Sequence, residues 1–414
     1  MNALPAASFA ASSMQAHRLD LLESGEQYFP AVFASIAQAR KEVLIETFIL
    51  FEDEVGMSLQ RELLAAAKRG VQVVITVDGY GSPNLSDEFV HSLLSAGVKI
   101  HVYDPHRPLF GLRTHIFRRL HRKLTVIDGE IAYVGGINYS VDQLAERPSV
   151  GKLDFAVRIV GPVVGDIHRF MHRQIGIYDP RRRPSLRQAM SQGQLPAAGE
   201  VEFLVRDNHA HRDDIERAYR RAIHSARREI ILCNAYFFPG YLLLLALRRA
   251  ARRGVKVTLI LQGTPDMPRV KLWEKLLYSP LLKAGVNIRE YAPHPLHAKV
   301  AVIDGAWSTV GSSNLDPLSL TLNLEANVVI RNSEFCNQLR QRLQQIIERD
   351  CRAVSLDSHY RHNKLTILLQ TAAYHMTRHF PRLAGWLPAH APRLQPLHLH
   401  LQQSQRTINH EQAL

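Results

Sequence analysis

The sequence predicts an α/β protein made of two homologous halves, each a mixed β-sheet flanked by helices, packed about a pseudo-twofold axis with a shared cleft between them. Three observations lead to this fold class: a length of 414 residues, an ordered internal repeat, and apolar strand-like runs that alternate with helical patterns. A chain of this length is too long for one ordinary core and suits two domains or one duplicated domain.

The repeat is visible in three pairs of segments that keep the same order along the chain. ARKEVLIETFILF at 39–51, for example, is answered by ARREIILCNAYFF at 226–238. The other two pairs are 65–79 with 249–263 and 93–105 with 281–293. Matches in one order indicate a duplication of a whole structural unit.

Within each half the pattern reads helix, strand, helix, strand, helix, strand, and then a strand that begins with histidine. This alternation is typical of a largely parallel or mixed sheet with helices outside. Proline, glycine and arginine without apolar periodicity indicate a linker. The predicted division is a flexible lead at 1–18, a first half at 19–178, the linker at 179–200, a second half at 201–350, a basic amphipathic extension at 351–394 and a disordered tail at 395–414. The extension is either a helical membrane-binding surface or a tail that docks on the second half.

Two segments resemble targeting or membrane signals. The N-terminal lead has no basic region followed by an apolar core, so we do not interpret it as a signal peptide. Residues 230–247 contain eighteen uncharged residues, but Pro239 and Gly240 divide them. The repeat partner of this stretch carries four acidic residues, so we predict a buried strand, a turn and the start of a helix instead of a membrane span.

The net charge indicates the class of binding partner, and the cysteine content indicates the redox compartment. Lysine and arginine number 51 against 38 aspartates and glutamates, a net charge of +13. Such an excess favours phosphate-bearing partners, either nucleic acid or anionic lipid, although a merely basic surface would look the same. Three cysteines without metal-binding spacing do not form a disulfide framework and fit a reducing compartment.

The most conspicuous repeat is a motif of polar residues on a strand. HRKLTVIDGEIAYVGGIN at 121–138 returns as HAKVAVIDGAWSTVGSSN at 297–314. Histidine, lysine, aspartate and asparagine fall at identical offsets, which a structural histidine alone would not explain. The two sets are His121, Lys123, Asp128 and Asn138, and His297, Lys299, Asp304 and Asn314.

These residue types suit transfer at a phosphate. Residues two apart share a strand face, so each histidine projects with its lysine, and two halves about a twofold axis can bring both pairs into one cleft. The lysines and asparagine amides can stabilise phosphate oxygens without a metal or another cofactor. One histidine can attack phosphorus while the other protonates the leaving oxygen.

Acidic residues complete the predicted site. Each histidine needs a carboxylate on its far nitrogen, and the candidates are Asp154 and Glu325, which lie on apolar strands where a lone acid is costly to bury. Asp128 and Asp304 end a VID strand before glycine. They are either part of the catalytic set or residues that cap a turn and hold a lysine.

The duplicated motif resembles that of the phospholipase D superfamily, which is marked by two HxKxxxxD motifs followed by GG or GS and asparagine. The resemblance covers roughly residues 20–335. It implies a metal-independent, two-step exchange at a phosphodiester through a phosphohistidine, without a cofactor. It further implies His121 as the nucleophile and His297 as the general acid and base.

A closer similarity is to bacterial cardiolipin synthases, through ETFILFEDEVG, VDGYGSPNLSDEF, FRRLHRKLTVIDG, GGINYS and GSSNLDPLSLTLNLEANV. The chain resembles the shorter B type, which lacks two N-terminal membrane helices. This implies transfer of a phosphatidyl group from phosphatidylglycerol to a second lipid alcohol with release of glycerol. The implied partners are anionic phospholipids, phosphatidylglycerol and cardiolipin, at the cytoplasmic side of the bacterial cell membrane.

Segments that mix apolar, aromatic and basic residues precede each motif, at 106–123 with Arg119 and at 267–282 with Trp273 and Tyr278. Such mixing favours peripheral contact with anionic headgroups, although helices packed on the core would share it. A phospholipase D-type hydrolase, a nuclease and a non-catalytic binder are the alternative functions. The apolar residues beside both motifs argue against nucleic acid, and the oligomeric state is left open.

Overall fold

Two eight-stranded sheets with associated helices form the protein. The computed structural model describes residues 17–83, 85–105, 118–147, 151–178, 200–265, 268–356 and 394–396. Residues 179–199 of the predicted linker and most of the predicted extension and tail therefore lie outside the described residues.

The first half contains seven strands and four helices. Its N-caps follow from the sequence: the Asp53 side chain accepts the N–H groups of Val55 and Gly56 at the start of α2. The elements are β1 (Arg18–Glu23), α1 (Ser24–Gln38), β2 (Glu42–Thr47), α2 (Glu54–Lys68), β3 (Gln72–Asp78), α3 (Asp87–Ser95), β4 (Lys99–Tyr103), β5 (Leu124–Ile127), β6 (Ile131–Gly135), a 3-10 turn (Val141–Gln143), β7 (Phe155–Val160) and α4 (Val163–Tyr178).

The second half repeats this series with the same types of element. Asn332 caps its long last helix by accepting the N–H of Phe335. The elements are β8 (Val201–Arg206), α5 (Asp214–Ser225), β9 (Glu229–Asn234), α6 (Tyr241–Arg252), β10 (Lys256–Gln262), α7 (Pro268–Leu276), α8 (Tyr278–Leu282), β11 (Asn287–Tyr291), β12 (Lys299–Ile303), β13 (Trp307–Gly311), α9 (Pro317–Thr321), β14 (Glu325–Ile330), α10 (Ser333–Arg349) and β15 (Cys351–Val354).

Both sheets have the same strand order. The first runs β1-β7-β6-β5-β2-β3-β4-β16, and the second, read in the matching direction, runs β8-β14-β13-β12-β9-β10-β11-β15, where β16 is Leu394–Pro396. In the first sheet β2, β3 and β4 are parallel, whereas β5 joins β2 antiparallel. The second sheet pairs in the same way, so the prediction of two mixed sheets is confirmed.

The sheets pack against each other through one shared apolar core, and each half has a second core under its outer helices. Reciprocal backbone bridges join the halves: Leu120 pairs with Leu324, and Leu296 pairs with Leu153. Exchanging the halves turns one bridge into the other, as expected for packing about a pseudo-twofold axis.

The uncharged stretch at 230–247 lies in β9, a turn and the first half of α6, as predicted. No helix among the described residues is long and apolar enough to cross a membrane. Two edge strands differ from the predicted boundaries. β15 extends the second sheet beyond residue 350, and residues 395 and 396, predicted to open a disordered tail, belong to β16, which pairs with β4.

Candidate active site

The two histidine segments meet at the interface between the halves. The N–H of His121 donates to the carbonyl of Leu324 at 2.9 Å, and the N–H of His297 donates to the carbonyl of Leu153 at 2.8 Å. Leu324 and Leu153 directly precede the two predicted carboxylates. The backbone therefore places each histidine beside an acidic residue of the opposite half.

Each histidine is hydrogen-bonded to a carboxylate that comes from the other half. Nδ1 of His121 lies 3.0 Å from Oε2 of Glu325, and Nδ1 of His297 lies 2.6 Å from Oδ2 of Asp154. A carboxylate on Nδ1 fixes that nitrogen as the protonated one and leaves Nε2 as the reactive nitrogen. The histidine side chains are only 12% and 10% exposed, so the paired rings lie in a nearly dry cleft.

The pKa shifts of the two histidine–carboxylate pairs differ in their causes. Burial lowers the pKa of both histidines. For His121 the charge of Glu325 opposes this shift. For His297 the charge of Lys299 adds to the shift, and the pKa falls well below its usual range. Burial alone would raise the pKa of Glu325, but the charge and hydrogen bond of His121 bring it below its usual value. Burial raises the pKa of Asp154 to about 6 although Lys299 opposes the change. Glu325 is therefore the firmer anion.

Both motif lysines are buried beside the histidines. Nζ of Lys123 donates to the carbonyl of His121 at 2.8 Å, and Nζ of Lys299 donates to the carbonyl of His297 and lies 3.6 Å from Oδ2 of Asp154. Burial lowers the pKa of Lys123 to about 7; Glu325 opposes that shift and the charge of Lys299 adds to it. An incoming phosphate anion would favour the charged lysines, which makes them suitable phosphate ligands.

The motif asparagines lie buried beside this cleft, but their side chains are held differently. Oδ1 of Asn138 accepts the N–H of Ile49 at 3.1 Å, which leaves its amide NH₂ group for a phosphate oxygen. Oδ1 of Asn314 is buried and has no partner among the described residues. The protein therefore fixes the orientation of the first amide, whereas the oxygen of the second has no donor among the described residues.

The residues after each strand give the two carboxylates unequal surroundings. Ser312 donates its hydroxyl to Oε2 of Glu325 at 2.5 Å. The equivalent position in the first half is Gly136, where a Cβ atom would lie 2.3 Å from Oδ2 of Asp154. Glycine is therefore required beside Asp154, while serine adds a second hydrogen bond to Glu325.

Asp78 and Gln262 are functional candidates that the sequence interpretation did not single out. Oδ2 of Asp78 accepts the N–H of Leu120 at 2.8 Å, and Nε2 of Gln262 donates to the carbonyl of Leu296 at 3.3 Å. Both side chains thus hold the residue before a histidine. Asp78 and Gln262 occupy the same position in the repeated segments at 65–79 and 249–263. A polar residue at equivalent positions of two buried strands could have identified them from the sequence.

The structure separates Asp128 and Asp304 from the cleft and corrects their placement in the catalytic set. Each lies at the far end of a short strand, seven residues from its histidine and so roughly 20 Å away in an extended chain. The Asp128 carboxylate accepts the N–H groups of residues 40, 41 and 42 at 2.7–2.9 Å, and Asp304 accepts those of residues 227, 228 and 229 at 2.8 Å.

The local backbone explains this role. Asp128 and Gly129 both have positive φ angles, as do Asp304 and Gly305. Two consecutive positive φ angles form the tight turn that joins strands in a hairpin, and Asp-Gly suits it. Each aspartate therefore turns the hairpin that carries a histidine strand and ties it to the start of β2 or β9.

Of the predicted lipid-contact residues that the structure describes, some are buried and some are exposed. Arg119 is buried against Asp78 and Asp104, and Tyr278 is buried with hydrogen bonds to Lys271 and Glu274, so neither is a surface residue. Trp273 is 42% exposed. Residues 106–117 lie outside the described part of the chain.

Large exposed apolar side chains gather at the edge of the sheets where the histidines lie. Within the described ranges seven such side chains are present, and six of them follow the C-terminal ends of β2, β9, β10 or β13. Those ends adjoin Leu124 and Lys299, which start the histidine strands. The six residues, named here the apolar rim, are Phe51, Met57, Leu242, Leu272, Trp273 and Leu318.

Comparison with known proteins gives one matching family and several close relatives. The family described as "Cardiolipin synthase, PLD-like domain" matches residues 32–180 and 219–347. Cardiolipin synthase B of Salmonella typhi is 52% identical over 381 residues, and cardiolipin synthase B of Escherichia coli K12 is 50% identical over the same length; each alignment covers 92% of both chains.

Solved structures are similar in fold at low sequence identity. Phosphatidylserine synthase of Haemophilus influenzae superposes with a TM-score of 0.64 at 14% identity, covering 86% of this chain and 92% of that one. Polyphosphate kinase of Porphyromonas gingivalis gives a TM-score of 0.54 at 16% identity, with 86% and 52% covered. Each of these likenesses extends over 86% of this chain and concerns the fold alone.

Proposed function

The chain belongs to the cardiolipin synthase family with PLD-like domains, and we propose that it transfers a phosphatidyl group from phosphatidylglycerol to the hydroxyl of a second phospholipid alcohol, releasing glycerol. One observation carries the proposal. Two histidines, each hydrogen-bonded to a carboxylate of the opposite half, lie beside two buried lysines at one interface. This set contains a nucleophile, a proton donor and two cations for one phosphodiester.

In the first step Nε2 of His121 attacks phosphorus and the bond from phosphorus to the glycerol oxygen breaks. His297 gives its proton to that oxygen, so glycerol leaves as a neutral alcohol. Lys123 and Lys299 balance the charge on the phosphate oxygens. The result is a phosphatidyl group bonded to His121.

The second step reverses the roles of the same atoms. His297 takes the proton of the acceptor hydroxyl while that oxygen attacks phosphorus, and the nitrogen–phosphorus bond breaks. The product is cardiolipin when the acceptor is a second phosphatidylglycerol. The enzyme returns to its starting protonation state.

The unequal carboxylates support this assignment of roles. Glu325 is held as an anion, which stabilises the positive charge that His121 gains on phosphorylation. Burial and the charge of Lys299 lower the pKa of His297, so this ring is neutral before substrate binds; the negative charge of a bound phosphodiester would favour the protonated ring that acts as the general acid. The nearly buried rings restrict water, which favours a lipid alcohol over hydrolysis.

Peripheral membrane contact is part of the proposal. The apolar rim lies at the same edge of the sheets as the histidines, and the chain carries a net charge of +13. Apolar side chains beside a basic surface insert into the interface of an anionic bilayer. We place this contact on the cytoplasmic side of the membrane, where the substrate headgroups would reach the cleft.

The function is tested with purified protein and phosphatidylglycerol in mixed micelles, with the lipid products followed by mass spectrometry. We expect cardiolipin and glycerol in equal amounts. Phosphatidic acid without cardiolipin would make the enzyme a hydrolase. Turnover of a nucleic acid with none of the lipid would overturn the lipid assignment altogether.

The membrane contact is tested by sedimentation with phosphatidylglycerol vesicles at several salt concentrations. Replacing Leu272 and Trp273 by serine should weaken vesicle binding by at least about tenfold, because each side chain contributes about 1.5–3 kcal/mol when it leaves water. Gln72→Ser, which changes an exposed uncharged residue where β3 begins, at the opposite edge of the first sheet, is the control. Equal binding by both variants and the unmodified chain would refute the proposed surface.

A further inference from the structure

A second cluster of histidines lies far from the cleft, where β2 begins and α4 passes over it. His168 and His172 are one helical turn apart on α4, so both rings lie on the same side of the helix. Both contact the carboxylate of Glu42: Nε2 of His168 is hydrogen-bonded to Oε1, and Nε2 of His172 lies 3.0 Å from Oε2. The two Nε2 atoms are 3.1 Å apart.

We propose that Glu42, His168 and His172 bind a transition-metal dication such as Zn²⁺. The three residues can each offer one ligand atom, and those atoms all lie within 4.8 Å of one another. Zinc bonds to nitrogen at about 2.0–2.1 Å in a tetrahedral arrangement, which requires ligand atoms roughly 3.3 Å apart. The observed separations of 3.0 and 3.1 Å need little adjustment to meet that requirement.

The donor set indicates the class of ion. Two imidazoles and one carboxylate suit zinc, cobalt, nickel or copper, whereas magnesium and calcium prefer oxygen ligands. Two histidines four residues apart on a helix are a common way to present two ligands on one face. The sequence HRFMH at 168–172 carries this spacing.

The ligands are held in place before any ion binds. The Asp128 carboxylate accepts the N–H of Glu42 at 2.9 Å, and the carbonyl of Glu42 accepts the N–H of Asp128 at 2.9 Å. The tight turn continues at Gly129, where a Cβ atom would lie 3.4 Å from the ring of His168. His172 is 50% exposed, so water can complete the coordination shell.

The equivalent carboxylate in the second half has a different cationic partner. Glu229 begins β9 as Glu42 begins β2, and it binds the guanidinium of Arg340 on α10 at 2.6 Å and Lys256 at 3.4 Å. In both halves, then, the last long helix is tied to the first parallel strand through a carboxylate. In the first half we assign to a metal ion the position that Arg340 fills in the second.

The distance from the cleft gives the ion a structural role. Glu42 and Thr47 are opposite ends of β2, about 17 Å apart at the rise of an extended strand. An ion bound to Glu42 is therefore too far away to contact a phosphate between the histidines. It would stabilise the docking of α4, and this inference does not depend on the proposed reaction.

The test measures zinc binding to the full-length chain after removal of metals by a chelator. Zn²⁺ is titrated in competition with a chromophoric indicator, and Tm is recorded with and without the ion. Any exposed imidazole can bind zinc weakly, so the comparison is between variants. His172→Gln is the principal variant because its side chain is half exposed and its loss should leave folding intact.

We expect the unmodified chain to bind one Zn²⁺ more tightly than any other and to gain in Tm when zinc is added. His172→Gln and Glu42→Gln should lower that affinity by at least about tenfold and abolish the gain in Tm. His224→Gln, which removes an exposed histidine on α5, should behave as the unmodified chain. Equal zinc affinity in His172→Gln and the unmodified chain, or no ion retained by the unmodified chain, would overturn the proposal.

Discussion

The rate of cardiolipin formation should fall by about 10⁵-fold or more in His121→Ala and by about 10² to 10⁴-fold in His297→Ala. Both variants should remain folded. The first change removes the atom that forms the covalent bond, and losing a nucleophile removes nearly all chemical catalysis. The second removes a proton donor, whose contribution is typically smaller. The measurement is the initial rate of cardiolipin formation from phosphatidylglycerol, with Tm as the control for folding.

A change of leaving group distinguishes the two roles. A phosphatidyl ester of p-nitrophenol needs no protonation to depart, so His297→Ala should release nitrophenol in a burst close to one equivalent, whereas His121→Ala should release none. His224→Ala, far from the cleft on α5, should match the unmodified chain in both assays. A phosphatidyl adduct found on His297 by peptide mass spectrometry would reverse the assignment.

The second large effect concerns the carboxylates that cross between the halves. Asp154→Asn and Glu325→Gln should each lower kcat by about 10² to 10⁴-fold while KM changes little, because an amide no longer fixes the Nδ1 proton or stabilises the charged imidazole. Both side chains are buried and make their hydrogen bonds to the opposite half. The measurement is kcat and KM for phosphatidylglycerol at neutral pH.

The crossed pairing makes a prediction that pairing within a half would not make. Asp154 serves His297, so the nitrophenyl ester should restore the first step in Asp154→Asn. Glu325 serves His121, so Glu325→Gln should stay slow with either substrate. The opposite pattern would mean that each carboxylate serves the histidine of its own half.

Asp128→Asn and Asp304→Asn are the matched controls for these carboxylates. They remove the same carboxylate charge from an aspartate that also holds a histidine strand, but at the end of that strand far from the histidine. We expect them to lower Tm, because three backbone N–H groups lose a charged acceptor, and to keep kcat within about tenfold. A loss of kcat as large as that of the histidine variants would place these aspartates in the reaction.

Much of the architecture could be predicted from the sequence because it depends on local patterns. The apolar runs at 42–47 and 229–234 predict buried strands by their periodicity, and their repetition predicts two sheets of one topology. Spacing alone also places His121 with Lys123 and His297 with Lys299, since residues two apart share a strand face. These relations span a few residues and need no knowledge of the rest of the chain.

The relations between distant residues were decided only when the halves packed. The crossing of Asp154 to His297 and of Glu325 to His121 depends on bridges between segments more than 140 residues apart. Asp128 is part of the same motif as the catalytic histidine, but the length of the intervening strand places it at the opposite edge of the sheet. Periodicity specifies which face a residue occupies, whereas its partner across an interface is set by the packing of whole sheets, which no short stretch of sequence encodes.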